Sequence, residues 1–180
     1  ESGAQRTGYL EYFGYAITMV PEQIPYQNGN LWGEAIRHVL MPRLFFPDKP
    51  AINDSDRVNE FTGQRVGGAE QGTSISLGYV AESYLDFGPV LMMVPILMLG
   101  IFFGWAYRVL ATTGDKFLLS LAFAVSFILA NAILFESSNI KIVGGALTSL
   151  MVGWGLLRFG SDWIWMVLKG APKRRVTSQN

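Results

Sequence analysis

The chain has no cysteine and a single histidine, His38, among 180 residues. That excludes a disulfide framework, a zinc thiolate site and a thiol nucleophile, and it argues against a histidine-rich metal centre or a Ser-His-Asp triad. No GxxxxGK phosphate loop, HExxH pair or nucleophile elbow occurs, so nucleotide-binding, metalloprotease and hydrolase chemistries have no motif to rest on. Charge is scarce: 16% of residues are charged, 14 basic and 14 acidic. The opening residues also lack the basic segment, apolar run and small-residue cleavage site of a signal peptide.

Apolar sequence is abundant, at 50%. Pro89–Leu110 carries no charge until Arg108. Its 22 residues would reach about 33 Å as a helix, enough to cross a hydrocarbon core about 30 Å thick. Phe117–Phe135 is a second apolar run, with small residues and Asn131, which reads as glue between helices. A third, glycine-rich run covers 142–158 and is followed by an interfacial segment to 168, anchored by Trp163 and Trp165. The expected fold is an all-α integral membrane protein, with three C-terminal transmembrane helices at about 89–110, 117–135 and 142–158. A large extracytoplasmic loop region with short amphipathic helices, residues 1–88, precedes them, and a basic tail, 169–180, follows. Lys169, Lys173, Arg174 and Arg175 place that tail in the cytoplasm by the positive-inside rule, and counting back puts 21–88 outside. The outer segment agrees in sign, with nine acids against five bases. Four bases beside a membrane helix suit anionic lipid better than nucleic acid.

Within the outer region, residues 8–20 read as an interfacial helix or the outer end of a further one. Pro21 and Pro25 break regular structure and YQNGN is a turn. Residues 31–41 have the spacing of an amphipathic helix, with Leu31, Trp32, Ala35, Ile36, Val39 and Leu40 on its apolar side. Prolines 42, 47 and 50 hold the next piece extended. Residues 53–73 are polar and glycine-bearing and are expected to form a loop. Residues 74–87 return to helical spacing, with Glu82 and Asp86 one turn apart, and Phe87-Gly88-Pro89 makes the corner into the first apolar helix. Arginine's planar fork matches phosphate oxygens, and a carboxylate or His38 can take a proton from a hydroxyl. Arginines, carboxylates and aromatics between membrane helices permit an enzyme acting on a lipid-linked phosphate at the outer membrane face.

The run IPYQNGNLWGEAIRHVLMPRLFFPDKP resembles the start of the large periplasmic loop in O-antigen polymerases and related oligosaccharide repeat-unit (Wzy-like) polymerases. GTSISLGYVAESYLDFGPV is similar to the run those proteins carry before the next membrane helix. Ala81 stands where that family has glycine, and Asp86 where asparagine is common. The resemblance covers roughly residues 20–100 and implies that the chain is the C-terminal portion of a longer polytopic protein in the bacterial inner membrane. It implies an inverting glycosyl transfer at the outer face of that membrane, from undecaprenyl pyrophosphate to a sugar hydroxyl of another lipid-linked repeat unit. No nucleotide is needed, because the energy lies in the sugar–pyrophosphate bond, and no metal or cofactor is expected. The implied partners are the polyprenyl-pyrophosphate-linked oligosaccharide, membrane lipid and a chain-length regulator.

Arg43, beside an aromatic run in the first match, is the leading candidate to bind pyrophosphate, with Arg37, Arg65 and Lys49 as further candidates. Glu82 and His38 are the candidate catalytic acid–base residues; the plain alternative for Glu82 is an ion pair that fixes the loop. Rival readings are an O-antigen ligase, which differs in acceptor, and a polysaccharide transporter, flippase or membrane scaffold without catalysis. A transporter should place ionisable residues near the middle of its helices, and 89–107 and 117–135 contain none.

Overall fold

The computed structural model describes residues 2–41, 46, 53–67 and 74–169, and side chains from Tyr9 onward. The described residues are all helical or irregular, with no strand. In order the elements are α1 (Ser2–Met19), α2 (Asn30–Leu40), α3 (Asp54–Thr62), α4 (Gly78–Leu91), α5 (Met93–Ala111), α6 (Phe117–Phe123), a π-helical segment (Ala124–Leu129), α7 (Ala130–Ala132), α8 (Asn139–Phe159) and α9 (Ser161–Lys169).

They pack around two hydrophobic cores. The first gathers Val20, Leu31, Val58, Phe61, Leu77 and Leu85 from the N-terminal helices and their loops. The second gathers Leu99, Phe103, Leu110, Ile128, Ile142 and Leu157 from the apolar helices. Gly88 separates the two layers. Its φ of 75° and ψ of −177° break α4, a geometry that penalises any side chain. A Cβ there would also stand 3.0 Å from the Tyr26 ring. Pro89 follows the break, where its missing N–H costs nothing.

Two helices, α5 and α8, are long and apolar enough to cross a membrane. The expected third span at 117–135 is not among them. This run is helical only from Phe117 to Ala132, shorter than the other two, and its middle six residues are π-helical. A π-helical turn is wider and shorter in rise than an α turn, so the segment gains less length than its residue count suggests. It nevertheless carries the chain from one end of the bundle to the other. At its start Lys116 pairs with Asp162. After its end the carbonyl of Ser137 accepts the Tyr79 N–H at 2.8 Å, beside the first core. Asn131 acts across helices as its type suggests, donating through Nδ2 to Ser149 Oγ of α8 at 3.0 Å. Gly145 makes room for it, since a Cβ there would lie 2.7 Å from Asn131 Oδ1.

The expected loop at 53–73 is corrected in part. Residues 54–62 form α3, with Asp54, Ser55, Val58, Phe61 and Thr62 buried at helical spacing. Asp54 and Asp56 stand in its first turn, where acids favour the helix dipole. Gly63, with φ 66°, ends it. The polar composition hid a face of i, i+4 and i+7 contacts, because only two of its members, Val58 and Phe61, are apolar.

Candidate functional site

α4 carries the residues that organise the upper layer. Glu82 and Asp86 lie one turn apart on one face and are 1% and 0% exposed. Each carboxylate meets the N-terminus of a different helix. Asp86 accepts the backbone N–H groups of Leu31 (3.1 Å) and Trp32 (2.9 Å), the first turn of α2. No side chain of α2 itself caps that end. Two backbone bonds fix the preceding loop alongside, from Gln27 N–H to the Leu85 carbonyl and from Asn28 N–H to the Asp86 carbonyl, both at 2.9 Å. Trp32 Nε1–H donates to Ser83 Oγ at 3.0 Å.

Glu82 does the same for α8, accepting the Asn139 N–H through Oε2 at 3.0 Å. Arg57 of α3 approaches the same oxygen at 3.4 Å and reaches Glu34 of α2 at 2.7 Å. One helical turn back along α3, Asp54 is 1% exposed. Its Oδ2 pairs with Lys141 at 2.8 Å and accepts a hydrogen bond from Ser138 Oγ at 3.1 Å. Four helices, α2, α3, α4 and α8, thus meet around five charged side chains and the first turn of α8. Burial pushes the Glu82 carboxyl up to about 7, and nearby Asp54 adds to the rise; Arg57 and the Asn139 N–H pull the other way. A buried carboxyl poised near neutrality is suited to exchange a proton. Burial also raises Asp86, against the pull of the α2 N–H groups. Among the described residues, Glu82 Oε1, Asp54 Oδ1, Arg57 Nη1, Glu136 Oε2 and the side-chain amide of Asn139 are buried without a hydrogen bond.

Of the residues singled out from sequence, Glu82 alone enters this cluster among the described residues. Arg37 is exposed on α2, His38 is half-buried on the same helix, and Arg65 is exposed beyond α3. Arg43 and Lys49 lie outside the described residues. Sequence reasoning missed Arg57, Asp54, Lys141 and Asn139 as members. The spacing of Asp54, Arg57 and Phe61 was the available signal for the first two. Below the cluster an apolar cleft of about 600 Å³ opens between α2, the start of α5 and α8, lined among others by Trp32, Ile36, Phe87, Val94, Phe102 and Leu147. No group of histidine and carboxylate ligands among the described residues is placed to hold a metal ion.

An all-helical chain with a buried ionic cluster above two long apolar helices is the class of protein these features define. Residues 4–144 match the family described as "Domain of unknown function (DUF8712)", and the chain belongs to that family. No curated protein and no solved structure matches it.

Proposed function

We propose that the chain is the membrane-embedded part of a glycosyltransferase acting on a polyprenyl-pyrophosphate-linked oligosaccharide at the outer face of a bacterial inner membrane, a polysaccharide polymerase. In this reading α5 and α8 span the bilayer, Phe117–Ala132 returns the chain between them, residues 1–88 lie outside and the C-terminus is cytoplasmic. The acceptor is another lipid-linked repeat unit, and Glu82 takes the proton of its attacking hydroxyl.

The observation that carries the reading is Glu82 itself. It is a carboxyl group buried beside an arginine, with a pKa raised to about 7 and one oxygen without a partner, at the end of an apolar helical bundle. A general base works best when its pKa lies near the working pH. The apolar cleft below offers a place for a prenyl chain. Arg43, Arg37, Arg65 and Lys49 keep their proposed role toward pyrophosphate, and His38 its role as a second proton carrier.

The test is to express the full-length gene in a strain that lacks it, unmutated and with Glu82→Gln or Arg43→Ala, at equal protein levels in the membrane. On a gel of surface polysaccharide, Glu82→Gln is expected to collapse long chains to single repeat units. Long glycan accumulating on the polyprenyl carrier would make the protein a ligase. An unchanged ladder for both variants would leave a transporter or scaffold.

A further inference from the structure

Asn139 is fully buried, yet neither atom of its side-chain amide has a hydrogen bond among the described residues. Buried polar groups are nearly always partnered, and leaving one unpaired is destabilising. Its backbone N–H is satisfied by Glu82 Oε2 at 3.0 Å, so the amide is not needed to start the helix. Three other buried atoms without a hydrogen bond lie around the same turn of α8: Glu82 Oε1, Asp54 Oδ1 and Arg57 Nη1. Glu82 bonds to residue 139 and Asp54 to residues 138 and 141, while Arg57 Nη1 lies 3.4 Å from Glu82 Oε2.

The mixture of atoms selects a ligand chemistry. A cation would find three acceptor oxygens, but also Arg57, Lys141 and the positive end of α8. An anion would find the arginine and the amide nitrogen, but also two carboxylates. A neutral group that donates and accepts at one atom suits all of them, and a hydroxyl is such a group.

We propose that the first turn of α8, with Glu82, Asp54 and Arg57, forms a hydroxyl-binding site in which the Asn139 amide orients the hydroxyl of a saccharide. The saccharide as ligand rests on the glycosyl-transfer reading; the hydroxyl chemistry does not. Within that reading, ionised Glu82 takes the hydroxyl proton on Oε1 as the oxygen bonds to the anomeric carbon of the donor. The carbon–oxygen bond to pyrophosphate breaks, and its electron pair leaves with the pyrophosphate.

The experiment follows the thermal melt of the full-length protein in detergent with increasing methyl glucoside, galactoside, mannoside or N-acetylglucosaminide. At least one of these glycosides is expected to raise Tm saturably. Asn139→Ala and Asn139→Leu should abolish the shift, whereas Gln23→Ala, in an exposed turn, should keep it. Asn139→Ala empties a fully buried position while keeping the N–H that binds Glu82, so its shift is read against its own melt without glycoside. The proposal is overturned if no glycoside shifts the unmutated protein, the result expected of a site that holds only water. It is equally overturned if the shift survives Asn139→Ala. Initial rates on lipid-linked oligosaccharide separate the two readings. A glycoside shift lost in Asn139→Ala, with no turnover by the unmutated protein, keeps the hydroxyl site and removes glycosyl transfer. Turnover indifferent to Asn139→Ala keeps the transfer and removes the site.

Discussion

Arg57 stands between two carboxylates of unequal setting: Glu34 is largely exposed, at 62%, and Glu82 is buried, at 1%. The two contacts are therefore worth different amounts. An exposed pair contributes about 0–1 kcal/mol. Removing one partner of a buried pair costs more, up to about 3–5 kcal/mol where the remaining group stays charged. Glu82 can take up a proton when Arg57 is lost, so Arg57→Ala is expected to cost more than Glu34→Ala and the difference to widen as pH rises, as read from denaturant or thermal melts. In a Glu82→Gln background the cost of Arg57→Ala should shrink, and a double-mutant cycle measures that coupling. Glu82 also makes stability depend on pH. Its folded-state pKa, about 7, is above the ordinary 4.5, so between these values the folded state holds a proton that the unfolded chain has released. Its contribution to stability is fully present below about 4.5 and is lost as pH rises through about 7. Melts across that window should show the unmutated protein weakening by a few kcal/mol as pH rises, and Glu82→Gln should flatten this part of the slope.

At the scale of elements, α2 depends on a residue of another helix for its N-terminus. Asp86→Ala should cost about 0.5–2 kcal/mol and loosen the segment before α2. Hydrogen exchange at Leu31 and Trp32 would report it directly, and Asp86→Asn should keep only part of the protection, because the two N–H groups use different carboxylate oxygens and an amide NH2 cannot accept. The helix at 31–41 and, from Gly78 on, the one read at 74–87 were legible because their apolar residues recur at helical spacing, although 74–77 are not helical; the break at Phe87-Gly88-Pro89 was legible because proline and glycine punctuate locally. α3 was not legible as a helix, since a face made of Asp54, Ser55, Val58, Phe61 and Thr62 is mostly polar and becomes a buried face only when Lys141, Ser138 and the first core meet it. The shortening of the helix at 117–132 was hidden for a different reason. Apolar composition continues to Phe135, whereas the helix ends at Ala132 and the chain then turns to bring Ser137 to α4. Glu82 and an ion pair for it were legible, and the pair is present with Arg57, but neither the identity of that arginine nor the contact to α8 was. The contacts of Glu82 to positions 57 and 139 span distances at which neither periodicity nor spacing carries information.

For the whole molecule, the two cores place the 63–67 loop and the Thr112–Lys116 turn at opposite ends of the apolar helices. The absence of cysteine from these 180 residues makes the proposed orientation testable by single introduced thiols, with any cysteine elsewhere in the full-length protein replaced first. Gln64→Cys should react with a membrane-impermeant maleimide added to intact cells or spheroplasts, and Asp115→Cys only after the membrane is opened; the reverse pattern would invert the topology. The capping arrangement on α4 has a further consequence for how the sequence tolerates change. The bonds that the α4 carboxylates make to α2 and α8 are donated by the main chain at positions 31, 32 and 139 and accepted by side chains at 86 and 82. Any residue except proline supplies the donor, whereas few can supply the acceptor. In a saturation scan of the upper layer read out as folding stability, these three bonds should survive any donor-side change except to proline, and the loss of a bond should fall one-sidedly on substitutions of Glu82 and Asp86.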